Sequence, residues 1–185
     1  MDSYLDLSLR PDPEFPESQL MNALYAKLHR ALVSAQAKSI AVCFPAFAGM
    51  KLGGVLRLIG PSAALTDLMA GTWLHGMRDH LQISDVHALP VQLKHRKWQR
   101  IQCKSSPERL RRRQMKRHGL SAAQAHEQIP DAAAETLKAP FLQIASGSTG
   151  QRFRLFLKVG ALQAQPETGS FNDYGLSQTA TVPWF

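Results

Sequence analysis

The order of apolar patterns in residues 1–90 constrains this chain most. Leu5, Leu7 and Leu9 alternate with Asp6, Ser8 and Arg10, the period of a half-buried strand. Pro11, Pro13 and Pro16 form the loop that follows. A helix capped by Ser18 then carries Leu20, Met21, Leu24, Tyr25, Leu28 and Leu32 on one face. Ile40 to Phe44 and Val55 to Ile59 read as strands separated by a Gly- and Ala-rich loop. Ser62 caps a second helix through Leu65, Leu68 and Met69, with room to run past Trp73, and Leu81 to Ala88 reads as a fourth strand. This βαββαβ order predicts an α+β protein whose N-terminal domain, residues 1–92, is a ferredoxin-like (RRM-like) sandwich of two helices on a four-stranded antiparallel sheet. The aromatic signature of an RNA-recognition sheet is missing, since Val55-Leu56-Arg57-Leu58-Ile59 reads as core.

Pro90 and a basic tract from Lys94 mark the boundary of a smaller α+β C-terminal domain, residues 93–185. Trp98 to Lys104 reads as a strand with Trp98, Arg100, Gln102 and Lys104 on one side. Ser121 caps a short helix that ends near Pro130. Phe141 to Ala145 and Arg152 to Val159 are strands, the latter with Phe153, Leu155, Leu157 and Val159 on one side. The polar loop Ser146 to Gln151 joins them.

Between these elements lies an arginine-rich helix, 107–118, with both ends marked. Ser106 stands at the N-cap, Pro107 at the first helical position and Gly119 just past the end. Arg109, Arg112, Arg113, Lys116 and Arg117 share a face, which stacks like charges at a few tenths of a kcal/mol per pair. The chain has 185 residues and a net charge of +8. Of its 22 Lys/Arg and 14 acids, eleven Lys/Arg and one acid lie between Lys94 and His118, so the remainder is slightly acidic. Charge focused in this way is an electrostatic footprint for a polyanion, most simply the phosphates of a nucleic acid. A solvated charged face is the plainer alternative, although such faces usually alternate signs.

Other classes are set aside. No apolar run approaches the ~20 residues of a membrane span, and Met1-Asp2-Ser3-Tyr4 does not open a secretory signal. Cys43 and Cys103 show no metal-ligand spacing and are expected to be small, buried or half-buried residues, so a cytoplasmic protein without a metal or other cofactor is expected.

Several stretches together resemble the CRISPR-RNA processing endoribonucleases of type I-F (Ypest) systems. They are Tyr4-Leu5-Asp6, Leu9-Arg10-Pro11-Asp12-Pro13-Glu14-Phe15-Pro16, Leu28-His29, Lys104-Ser105 and Pro107-Glu108-Arg109-Leu110-Arg111-Arg112-Arg113. Ser148-Thr149-Gly150-Gln151, Phe153-Arg154-Leu155-Phe156, Tyr174-Gly175-Leu176-Ser177 and Val182-Pro183-Trp184-Phe185 complete the set. The resemblance implies binding of the CRISPR repeat hairpin and metal-independent cleavage at the 3′ base of its stem, leaving a 2′,3′-cyclic phosphate. It also implies that the mature guide RNA is kept, with the enzyme a subunit of the type I-F surveillance complex alongside other proteins.

The same resemblance assigns roles. His29 is the catalytic histidine, and its residue-level context agrees: Met21, Tyr25 and His29 form a row beside the leucine stripe, at the rim of the buried face. Read without the resemblance, His29 is a core-edge histidine. Ser146 holds the attacking ribose and Tyr174 orients the histidine; on sequence alone Ser148 serves as well as Ser146, and Tyr174 reads as half-buried structure in a late strand. Arg113, Lys116 and Arg117, with Arg109 and Arg112, contact the stem; Lys116 stands where better-known members have arginine, keeping charge but losing bidentate geometry. Arg100 and Gln102 read base edges, Phe153 stacks on the terminal base pair, and Ser148 and Thr149 join the RNA contacts. A non-cleaving hairpin-binding subunit and a DNA-binding regulator are the alternatives, the latter lacking a helix-turn-helix partner.

Overall fold

The computed structural model describes residues 1–102, 107–130, 137–145 and 150–185. It is a mixed α+β protein. Strand β1 (Ser3–Leu9) leads to helix α1 (Glu17–Ser34), β2 (Ala41–Cys43), β3 (Val55–Gly60), α2 (Ser62–Ala70), β4 (Leu81–Ile83) and β5 (His87–Ala88). These strands form one sheet in the order β2-β3-β1-β4, with β5 also on β1, and every pairing is antiparallel. Strands β6 (Lys94–Arg96) and β7 (Trp98–Ile101) follow, then helices α3 (Pro107–His118) and α4 (Ala122–Gln128). Strands β8 (Phe141–Ala145), β9 (Arg152–Val159) and β10 (Val182–Trp184) complete the chain. They make a three-stranded sheet, β7-β9-β8, and a ladder of β10 on β6.

The chain divides into two compact units, Met1–Ile101 with Ala139–Phe185, and Gln102–Lys138. In the first, α1 buries the six residues of its apolar stripe, from Leu20 to Leu32, and the five from Met21 onward join a core shared with Leu5 and Leu7 of β1, Leu56 and Leu58 of β3, and Leu142 and Ile144 of β8. Trp98 closes this core, with ring centroids 5.2 Å from Phe44 and 5.4 Å from Phe47. Arg57 is buried on β3 and donates to both carboxylate oxygens of Asp6 at 2.7 and 2.8 Å, with its guanidinium 4.0 Å from the ring centre of Phe185. Burial also pushes the Cys43 thiol up to about 12, so it is an inert core residue. Cys103 lies outside the described residues.

Five local expectations need correction. Ser18 does not cap α1: the helix begins at Glu17 behind Pro16, whose carbonyl accepts from Gln19 and Leu20, and Ser18 is already inside it. Ser62 likewise is the first residue of α2, behind Pro61, and its N–H is taken by the Asp2 carboxylate at 3.1 Å. In both places a proline presets the entry φ, so the cap position falls on it. Helix α2 ends at Ala70, before Trp73, whose indole N–H donates to the Leu68 carbonyl. The expected strand Leu81 to Ala88 is two short pieces, because the Ser84 hydroxyl rather than a backbone carbonyl accepts the Asp6 N–H at 2.9 Å. The strand expected over Trp98 to Lys104 covers Trp98–Ile101 and leaves out Gln102, while Cys103 and Lys104 lie outside the described residues.

In the second unit, α3 has the expected bounds, and Gly119 ends it at φ +64°, donating to the Met115 carbonyl. Helix α4 carries a complete capping box: Gln124 N–H donates to Ser121 Oγ at 3.2 Å, and Ser121 N–H to Gln124 Oε1 at 3.0 Å.

Candidate active site

His29 sits in the second half of α1 and is half-buried, at the edge of the stripe that packs on the sheet. Its Nδ1 is 2.8 Å from the backbone carbonyl of Asp173. A carbonyl only accepts, so Nδ1 carries the proton and the neutral ring keeps the lone pair on Nε2. The Tyr174 ring lies parallel to the imidazole, with centroids 4.0 Å apart and planes 6° from parallel. One short segment therefore fixes the tautomer through its backbone and the ring plane through its side chain.

That segment is a turn, where the sequence suggested a strand. Asn172 Oδ1 accepts from the N–H groups of Tyr174 at 2.9 Å and Leu176 at 3.2 Å, and Gly175 N–H donates to the Asn172 carbonyl. Gly175 closes the turn at φ +68°, and a Cβ built there would lie 2.4 Å from Val42 Cγ2. The turn is tied to the rest of the unit at three further points, two of them in the core and one on the surface. Tyr25 Oη donates to the Tyr174 carbonyl at 2.7 Å, Val42 N–H donates to the Gly175 carbonyl, and Lys38 pairs with the Asp173 carboxylate. Asn172, Asp173 and Lys38 were not singled out in the sequence, and Tyr25 was read there only as part of the apolar face and of the row that ends at His29. The signal for the turn was there in Asn172-Asp173-Tyr174-Gly175, but a backbone carbonyl has no sequence signature.

Arg100 extends the stack. Its guanidinium carbon is 5.1 Å from the ring centre of Tyr174 and 5.9 Å from that of Phe153, and its Nε is buried without a partner among the described residues. The structure thus gathers His29, Tyr174, Arg100 and Phe153. Gln102 is exposed just past the end of β7. Ser146, Ser148 and Thr149 lie outside the described residues.

Helix α3 buries no residue. Arg109, Arg112, Arg113 and Lys116 line one shallow depression on it, and Arg117 is exposed one turn beyond Arg113. Arg112 is paired with Glu108 at 3.2 Å, and Arg111 donates to the Ile129 carbonyl at 2.7 Å, which ties α3 to the end of α4. The five cations named from the sequence thus remain on the surface of the helix. Among the described residues, no helix is long and apolar enough to cross a membrane.

A histidine with a fixed tautomer and a surface helix of arginines define a class before a family: a protein equipped to hold a polyanion and to move a proton. Comparison with known proteins narrows this. The family described as CRISPR-associated protein (Cas_Csy4) matches residues 4–185. A protein from Pseudomonas aeruginosa (strain UCBPP-PA14) named CRISPR-associated endonuclease Cas6/Csy4 is 49% identical over 187 residues, covering all of both chains. One of the same name from Escherichia coli (strain UTI89 / UPEC) is 44% identical over 185 residues, again covering both completely. The chain belongs to this Cas_Csy4 family of CRISPR-associated endonucleases.

Proposed function

We propose that the chain is a metal-independent endoribonuclease that binds the stem-loop of CRISPR repeat RNA and cuts at the 3′ base of the stem. The observation that carries this reading is the His29 imidazole, with Nδ1–H given to the Asp173 carbonyl and the Nε2 lone pair left for chemistry. In the reaction, Nε2 takes the proton of a ribose 2′-OH. The 2′ oxygen attacks the adjacent phosphorus, the bond to the 5′ oxygen breaks, and that oxygen leaves with a proton. The products are a 2′,3′-cyclic phosphate and a 5′-hydroxyl. A histidine suits the step because its ordinary pKa of ~6.5 is near working pH. Tyr174 is the positioning residue for the ring, and Ser146 would hold the ribose.

Stem binding falls to α3, through Arg109, Arg112, Arg113, Lys116 and Arg117. The deep, narrow major groove of A-form RNA offers such a helix mainly phosphates. Phe153 would stack on the terminal pair, and Arg100 and Gln102 would read base edges. Arg100 would do so with its terminal nitrogens, since Nε is enclosed. Ser148 and Thr149 would add contacts from their loop. The sheet order β2-β3-β1-β4 supports a ferredoxin-like arrangement for residues 1–92, and residues 93–185 would form the RNA-binding part of the chain, with β8 sharing the core of α1. The product stays bound, making the protein a cytoplasmic subunit of the type I-F surveillance complex.

Two experiments test this reading. A 2′-deoxy substitution at the scissile nucleotide should leave binding intact and abolish the cut; cleavage of the deoxy RNA would rule out attack by the 2′ oxygen. Replacing Arg113 and Arg117 by Ala should weaken binding to hairpins of any loop sequence and flatten the dependence of log K on log salt by ~0.7–0.9 per lost phosphate contact. An unchanged slope would remove α3 from the interface.

A further inference from the structure

One arginine of α3 stands apart from the cations assigned to the stem. At 100° per residue, Arg109, Arg112, Arg113, Lys116 and Arg117 spread over one side of the helix, and Arg111 lies about 165° round from their mean direction. It is half-buried, whereas those five are exposed. Its Nε–H donates to the backbone carbonyl of Ile129 at 2.7 Å. Ile129 is the C-cap residue of α4, a place where carbonyls lack partners within their own helix and a cation is favoured. A side chain turned onto the neighbouring helix cannot at the same time reach a phosphate on the far side of its own.

Helix α3 needs such a tie. It has 12 residues, a length at which an isolated helix is marginal in water. None of them is buried, so no apolar face anchors it. Its cations meet at spacings of three and four, which weakens it further. The Glu108–Arg112 pair is exposed and offsets little of this. Helix α4 brings a buried side chain, Ala125, and is fixed at its own start by the Ser121–Gln124 box. Gly119 turns the chain between the two helices at φ +64°. The Arg111–Ile129 bond joins them at the other end, across 18 positions of sequence.

We infer that Arg111 is a positioning residue for RNA binding: it closes the α3–α4 hairpin, so that the five exposed cations stand on a formed helix before RNA arrives. The inference rests on the reading that α3 holds the stem. A hairpin left open at that end frays, and affinity then falls in proportion to the fraction of molecules whose α3 is formed. Arg111 thus acts on affinity through the order of the helix and not through a phosphate.

The test compares two uncharged side chains of similar length in the full chain. Arg111→Gln puts an amide nitrogen on Cδ, where arginine carries Nε, and so keeps a donor for the Ile129 carbonyl while losing the charge. Arg111→Met places a methyl carbon there and loses both. Affinity for a 2′-deoxy hairpin is measured across a salt series, and the order of α3 in the free protein by amide hydrogen exchange. Arg111→Gln should bind within about twofold of the wild type. Arg111→Met should bind roughly fivefold more weakly, the factor one net hydrogen bond carries. It should keep the wild-type salt slope, exchange faster along α3, and cut unmodified hairpin at the wild-type rate once protein saturates the RNA. Equal affinities for the two variants would overturn the inference. A slope flattened in both by ~0.7–0.9 would overturn it too, by making Arg111 a phosphate contact. The Arg113 and Arg117 substitutions separate this from the underlying reading. If they leave the slope unchanged, α3 is out of the interface altogether. If they flatten it while the Gln and Met variants bind alike, the role of Arg111 alone falls.

Discussion

His29→Ala should slow hairpin cleavage by at least 10²–10⁴-fold, the range of a positioned general base, while changing affinity for the hairpin by no more than about twofold. The split follows from the geometry. The ring's Nδ1 is spent on the Asp173 carbonyl, and its face is covered by Tyr174, so Nε2 is the one functional group it offers to a ligand. Removing it takes away a proton acceptor and leaves the cationic surface of α3 untouched. The folded protein loses one hydrogen bond and one ring stack, about 1–3 kcal/mol in total. Rates under single-turnover conditions and binding of a 2′-deoxy hairpin separate the two effects. An affinity loss as large as the rate loss would make His29 a structural residue.

Gly175→Ala should both destabilise the fold and disable the site. The position has φ +68°, which costs an L-residue roughly 1–2 kcal/mol. The added Cβ also meets Val42 Cγ2 at 2.4 Å and the Ile40 carbonyl oxygen at 3.3 Å. Val42 is β-branched and fully buried, so it has little freedom to turn aside. Strain and overpacking together should cost about 2–5 kcal/mol, which lowers Tm by roughly 4–20 °C in a chain of this size. Because the same turn carries the Asp173 carbonyl and Tyr174, cleavage measured well below the melting range should fall more than tenfold. A variant that melts lower yet cuts at the wild-type rate would show that the turn does not hold the histidine.

Much of the fold was legible because it is periodic. The six buried positions of α1 follow from a 3.6-residue repeat against a sheet, and they occur as read, from Leu20 to Leu32. The bounds of α3 and the capping box of α4 follow from Pro107, Gly119, Ser121 and Gln124, whose signals are local. The misreadings are where a distant group intervenes. The first N–H of α2 is met by Asp2, sixty positions away, and β4 and β5 are split by a serine hydroxyl. The site divides in the same way. The place of His29 on the rim of the stripe was readable, but what makes it reactive is the carbonyl of residue 173, reached only once the chain has folded. The stacking of Arg100 on Tyr174 joins β7 to a turn more than seventy residues later, and no spacing rule connects them. Roles for Ser146, Tyr174 and Phe153 came from resemblance, because a loop serine, a late tyrosine and a strand phenylalanine have plainer explanations.

The most direct measurement is a denaturing-gel assay of the purified chain with an end-labelled hairpin repeat RNA from its own CRISPR array, in excess EDTA. One cut at the 3′ base of the stem is expected, with a product ending in a 2′,3′-cyclic phosphate. Tight binding without a cut, or cleavage that appears only when a divalent metal is restored, would contradict a metal-independent endoribonuclease.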